Sequence, residues 1–258
     1  MQTTRRSFLR QAVAAAATPL LHHPVARAAR TVDSIEAIAF DAFTTFDPRP
    51  VYALAERLFP GRGAELSNIW RVRQFEYQWL RALAGQYADF REATEAALVY
   101  AANVAKVLLT DEKRHALMQA YVDIKAWPDA PPALRALKQS GIRLALLSNA
   151  SPDFLQAWIS NSALTEVYEH VLSTDAIRSY KPDPHAYAMA LDAFALPKAR
   201  IMFAAFGGWD VAGSKWFGYP TYWVNRLQLP VEELSVVPDG RGTTLTALNE
   251  FVEARRRA

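Results

Sequence analysis

"AIAFDAFTTFD", residues 37–47, is the stretch on which the reading of this chain turns. Ala37 to Phe40 are apolar without interruption, as in a strand covered on both faces, and the run stops abruptly at Asp41. Thr44, Thr45 and Asp47 follow closely. One reading is a turn, because Asp and Thr are common where a strand leaves a sheet. The other is a nucleophile at the carboxyl end of a parallel strand, where open α/β sheets place their ligands. The stretch alone favours neither, and the flanking pattern has to decide.

Working outward, "SIEAIAF" (34–40) reads as a strand, and no convincing strand follows before Ile124. "VYALAERLF", "ELSNIWRVRQFEYQWLRALAGQY", "FREATEAALVYAANVAKVLL" and "DEKRHALMQAYVDI" have helical periodicity, with breaks at "FPGRGAE" and "LLTDEKR". After "WPDAPP" (127–132) helices and strands alternate. A helix closed by Gly141 leads to the buried strand "IRLALLSN", and one opened by Ser151 and Pro152 leads to "YEHVLST". The strands "RIMFAAF" and "PTYWVN" follow the helices "DPHAYAMALDAFAL" and "WDVAGSKWFG", and "TLTALNEFVEARRR" closes the chain as a helix. This order predicts an α/β, Rossmann-like core with a parallel sheet over 29–48 and 125–258, and an inserted helical cap over 49–124. Gly207–Gly208 follows a strand but lacks the spacing of a dinucleotide loop.

A chain of 258 residues, 51% of them apolar, can bury the core of one domain with a modest insertion. The formal charge of +3 resides at the N-terminus, where Arg5, Arg6, Arg10 and Arg27 face no acid within residues 1–28. The remainder is close to neutral, so no nucleic-acid partner is expected. "TTRRSFLRQ", the short apolar "AVAAAATPLL" and the small-x-small "ARA" at 26–28 predict a twin-arginine signal peptide over residues 1–28. The apolar run is too short for an anchor, so the mature protein is expected in the periplasm, free of the membrane after cleavage. With no cysteine, disulfides, thiolate catalysis and Cys-ligated metal are excluded.

Several polar groups fall at predicted strand ends: Asp41 and Thr45, then Ser148 and Asn149, Lys181 in "YKPD", and Asp210 beyond "MFAAF". Each has a plain structural explanation. Ser148 and Asn149 suit a turn, Lys181 a solvated loop, and Asp210 the first turn of a helix. Their shared placement and order argue for one site. His115, His170 and His185 are scattered without metal-ligand spacing.

That order resembles the haloacid dehalogenase superfamily: an Asp after strand one, a Ser after "LL", a Lys before Pro and a late acid. Within it the chain is similar to the type II L-2-haloacid dehalogenases. "FDAFTTFD", "WRVRQFEYQWLRAL" (70–83), "LLSNASP", "YKPDPHAY" and "WDVAGSKWFGYPTYWVNR" match that family in order, from Ile35 to the C-terminus. The second acid of the superfamily's Mg²⁺-dependent phosphatases is replaced by Phe43. Magnesium needs several oxygen ligands, so no metal or cofactor is expected. The resemblance implies that Asp41 attacks C2 of a small 2-substituted carboxylic acid and that water then cleaves the ester. It implies Arg71 and Asn149 for the leaving halide, and Ser148 and Thr45 as hydrogen-bond partners of carboxylate oxygens. Lys181 would neutralise charge beside Asp41, Asp210 would activate water, and Tyr187 would buttress the site. Phe43, Trp209 and Phe90 would line an apolar pocket, with Thr44 in the altered first motif among the substrate contacts. A homodimer is the assembly it allows.

Two departures stand out. Where the family carries Ser-Ser-Asn-Ala-Trp-Asp, this chain has Ala205-Phe206-Gly207-Gly208-Trp209-Asp210, without the hydroxyl and amide. Thr44 stands where the first motif has glycine. Three functions therefore stay open: a dehalogenase with an altered water site, the same ester chemistry with another leaving group such as a strained ring nitrogen, and a binding protein without turnover. The joint presence of Asp41, Arg71, Asn149, Lys181 and Asp210 favours the enzymes.

Overall fold

In the computed structural model, residues 34–257 are described. The predicted leader lies outside them. The first strand, β1 (Ala37–Phe40), is fully buried and gives way at Asp41 to a single helical turn, α1 (Ala42–Thr45). Four helices make up the insertion that follows: α2 (Arg49–Leu58), α3 (Gly63–Leu83), α4 (Phe90–Val104) and α5 (Asp111–Val122). Thr110 and Asp89 cap α5 and α4 by accepting from Lys113 N and Glu92 N, which satisfies first-turn amides that have no partner within the helix.

The remainder alternates as the pattern predicts: α6 (Ala130–Gln139), β2 (Arg143–Ser148), α7 (Pro152–Asn161), β3 (His170–Ser173), α8 (Pro184–Phe194), β4 (Ile201–Ala205), α9 (Gly208–Phe217) and β5 (Thr221–Val224). A short strand, β6 (Gly240–Gly242), and α10 (Leu245–Arg257) complete the chain. All pairings are parallel, in the order β3-β2-β1-β4-β5-β6. The direction of winding reverses beside β1, and such a reversal opens a crevice at the carboxyl ends of the strands. Asp41, Ser148 and the segment after Ala205 are delivered to that end by β1, β2 and β4.

The sheet is covered on both faces. Phe40, Leu146, Met202 and Tyr222 belong to one core, and Ala39, Leu147, Phe203 and Trp223 to the other. Two crossings join the helical insertion to the sheet. Asp47 N donates to Lys125 O (2.8 Å), Trp127 N donates to Thr45 O (2.8 Å), and Phe46 bridges Ala126. Asp47 pairs with Arg49 at 2.8 Å, so it belongs to this hinge rather than to the site. No described helix is long and apolar enough to cross a membrane.

Candidate active site

Asp41 is the N-cap of α1. Its Oδ1 accepts from Phe43 N at 2.9 Å, which turns Oδ2 toward Lys181 Nζ, 2.7 Å away. Lys181 Nζ also reaches Asp210 Oδ2 at 2.7 Å, and the Tyr187 hydroxyl donates to Asp210 Oδ1 at 2.6 Å. Lys181 and Asp210 are fully buried, while Asp41 keeps 7% of its surface open. The chain thus supplies its own cation between two carboxylates. A buried ion cluster is tolerated only when its members compensate one another and their remaining hydrogen-bonding positions are filled.

The electrostatics follow from this arrangement. Burial works to lower the Lys181 pKa, but the charges of Asp210 and Asp41 outweigh it and the net shift is upward. The ammonium is therefore held charged. Burial raises the Asp210 carboxyl to about 6; the charge of Asp41 pushes the same way, while Lys181 and Tyr187 oppose it. Such a carboxylate is a stronger base than an ordinary one and is still ionised at neutral pH.

Asn149 links this cluster to α3. Its Oδ1 accepts from Lys181 N (2.9 Å), and its Nδ2 donates to Gln78 Oε1 at 3.0 Å. An amide nitrogen carries two hydrogens, so one of them has no acceptor among the described residues. Trp79, next along α3, donates from Nε1 to Lys181 O at 3.0 Å. Neither Gln78 nor Trp79 was among the sequence candidates for the site. The signal for Gln78 is its spacing from Ser67, Arg71 and Gln74, which places four polar residues on one stripe of α3.

A cavity of about 270 Å³ opens beside Phe43 and Trp209, and Arg71, Phe75, Trp79 and Phe206 contribute to its wall. Arg71 is half-buried and has no ion pair or hydrogen bond among the described residues, unlike Arg73, which pairs with Glu76 at 2.8 Å. The aromatic series of α3 divides between two tasks. Trp70 is buried and donates to Thr94 O (2.8 Å), whereas Phe75 and Trp79 meet Trp209 edge to face at the pocket.

Other expected contacts differ. The Thr45 hydroxyl pairs with the Tyr168 hydroxyl at 2.8 Å instead of with Asp41, because the turn of α1 rotates it into the core. Thr44 Oγ1 donates to Asp41 O at 2.7 Å, bracing the turn from behind. Ser148 Oγ accepts from Ala150 N at 3.0 Å and so shapes the loop that carries Asn149. Phe90 is not a pocket residue. It sits in the core against Tyr121 and Phe154, since it opens α4 on that helix's buried face.

The glycine pair has its own explanation. A Cβ on Gly207 would lie 2.7 Å from Trp209 Nε1, so the indole occupies the space that a side chain at 207 would need. Asp210 is anchored by Lys181 and Tyr187 without help from Ala205 or Gly207. No group of three or more His, Asp or Glu among the described residues is arranged to hold a metal ion.

Comparison with known proteins agrees with this geometry. A haloacid dehalogenase-like hydrolase profile matches residues 3–218. The (S)-2-haloacid dehalogenase of Pseudomonas sp. (strain YL) is 39% identical over 223 residues, covering 86% of this chain and 96% of that protein. The chain belongs to the L-2-haloacid dehalogenases. Haloacetate dehalogenase H-2 of Moraxella sp. (strain B) is 42% identical over 80% of this chain and 92% of its own length. The dehalogenase of Xanthobacter autotrophicus, solved with chloropropionic acid covalently bound, superposes with a TM-score of 0.78 at 33% identity, covering 85% of this chain and 98% of that one. Another L-2-haloacid dehalogenase structure gives a TM-score of 0.83 at 41% identity over 85% of this chain and 99% of its own.

Proposed function

We propose that the protein hydrolyses small L-2-haloalkanoic acids to 2-hydroxy acids through an ester on Asp41. The observation that carries the reading is Asp41 itself: a carboxylate nearly closed to water, fixed by Phe43 N and Lys181 Nζ beside a pocket that holds an unpaired guanidinium. Asp41 attacks C2, the carbon–halogen bond breaks with inversion, and the halide leaves toward Arg71 and the free amide hydrogen of Asn149. Removing water from the carboxylate strengthens it as a nucleophile, while the Lys181 ammonium at 2.7 Å offsets the charge of its Oδ2. Water then attacks the Asp41 carbonyl carbon and passes a proton to Asp210, the acyl–oxygen bond breaks, and the departing alkoxide takes up a proton to give the 2-hydroxy acid. The alkyl–oxygen bond survives this step, so the inverted configuration is kept and Asp41 is regenerated with a solvent oxygen. Esterification removes the Asp41 charge that raises the Asp210 pKa, so Asp210 ionises more readily when the base is needed.

A single turnover in heavy-oxygen water tests this. Label is expected in the Asp41 side chain, with one halide released from L-2-chloropropionate and none from the D enantiomer. Label in the product with none in Asp41 would mean direct attack by water. Amine release from a strained cyclic amino acid without halide release would favour the other leaving group.

Two further parts of the proposal rest on other features. Arg5, Arg6 and the Ala26–Ala28 site support twin-arginine export to the periplasm, with lysine at both arginines expected to block export. The apolar groove lined by Leu83, Trp216 and Leu234 supports a homodimer, for which light scattering of a Leu83→Lys variant is the check.

A further inference from the structure

Arg71 and Tyr52 line two cavities at once. One is the pocket described above. The other, about 420 Å³, lies between α2 and α3 and is completed by Glu56, Ala64, Ser67 and Asn68. The guanidinium and the phenol therefore form a partition between the reaction pocket and a second chamber. Its wall is rich in donors. Ser67 and Asn68 stand four and three residues before Arg71, on the same side of α3. Ser67 Oγ is buried without a partner among the described residues, and Arg71 likewise makes no ion pair or hydrogen bond among them. Glu56 is the one carboxylate on this wall. Its oxygens accept from Gly61 N (2.6 Å) and Ala64 N (3.1 Å), which holds it on the backbone.

We propose that this second chamber is the transit site for the released halide, which passes from the reaction pocket around Arg71 and leaves between α2 and α3. The inference rests on the dehalogenase reading. The halide departs as a free anion, so the step needs no co-reactant. A route of this kind must attract the ion enough to admit it yet hold it weakly enough to let it go. Arg71, Ser67 and Asn68 provide the first condition, and the Glu56 charge the second. A separate door also lets the halide leave while the ester still occupies Asp41.

The test fills the chamber from outside with Ala64→Trp and, separately, Asn68→Leu, at two exposed positions of its wall. L-2-chloropropionate is the substrate, and halide is followed by rapid quench and at steady state. The first-turnover burst should be unchanged, while steady-state kcat falls about fivefold or more because product release becomes limiting. Added bromide should inhibit with the same constant but reach inhibition more slowly, since blocking a path slows entry and exit alike. Unchanged kcat in both variants, or a burst that falls in step with kcat, overturns the proposal. Absence of any first-turnover halide from the unmodified protein would instead refute the dehalogenase reading.

Discussion

At the carboxyl end of the sheet, Lys181 Nζ reaches Asp41 and Asp210 at 2.7 Å each, and both Asp210 oxygens have donors. On α3, among the described residues, Arg71 in the pocket wall has no such partner, Ser67 Oγ is unpaired, and Gln78 Nε2 is buried without an acceptor. The sheet side is a closed network of charges linked by short hydrogen bonds. The cap side keeps donors in reserve. Unpaired buried donors cost stability, so their concentration on one helix fits the anion-receiving face of the proposed mechanism. On the proposed mechanism, the nucleophile and base are set in advance by the core, and recognition of the leaving group belongs to the helix that packs over them.

Variants can break that division. Asp41→Asn should keep the fold, because asparagine also caps α1, and lower kcat roughly ten-thousandfold; halide release alongside circular dichroism checks both. Lys181→Met leaves two buried carboxylates facing each other. Activity should fall about a thousandfold and stability by about 3 kcal/mol at pH 7. Urea unfolding should show that penalty shrinking in acid, as one carboxylate takes up a proton. Arg71→Lys, on the cap side, should cost about a hundredfold in kcat with stability nearly unchanged, since an ammonium lacks the planar fork. A large stability loss there would show that the cap donors are structural after all.

The smallest effect is also the most diagnostic. Asp210, raised to about 6 by burial, must be ionised to accept a proton, so kcat/KM should decline as pH falls through about 6. The limb for kcat should lie lower, because the ester has removed the Asp41 charge. Tyr187→Phe deletes a hydrogen bond that lowers the Asp210 pKa, so both limbs should move up by roughly one pH unit. Profiles that fail to move would detach Asp210 from the base role.

Much of the fold was legible because buried parallel strands are unbroken apolar runs. "LALL" and "MFAA" can be little else between helical patterns. β6 was not legible. Gly240-Arg241-Gly242 has no strand propensity, and its pairing with Tyr222 to Val224 makes it a strand. A Cβ on Gly240 would meet the Phe251 ring at 2.6 Å, which explains the glycine but only once α10 is in place. Thr45 illustrates a subtler limit. Closeness to Asp41 in sequence suggests a shared role, yet a single helical turn sends its hydroxyl to Tyr168.

By itself, the sequence determined which chemical groups arrive at the carboxyl end of the sheet. Strand order and the alternation of helices place Asp41, Asn149, Lys181 and Asp210 there with little freedom. Tertiary structure decided what those groups do to one another. Lys181 and Asp41 are separated by 140 positions, and only the reversal of winding beside β1 brings the ammonium to both acids. The shift of Asp210 to about 6 is a property of that enclosure, since burial and neighbouring charge depend on distances that no local pattern encodes. The polar stripe of α3 was visible as spacing, but its facing was not. Packing of the cap over the pocket turned Gln78 toward Asn149 and left Arg71 in the pocket wall with no ion pair or hydrogen bond among the described residues.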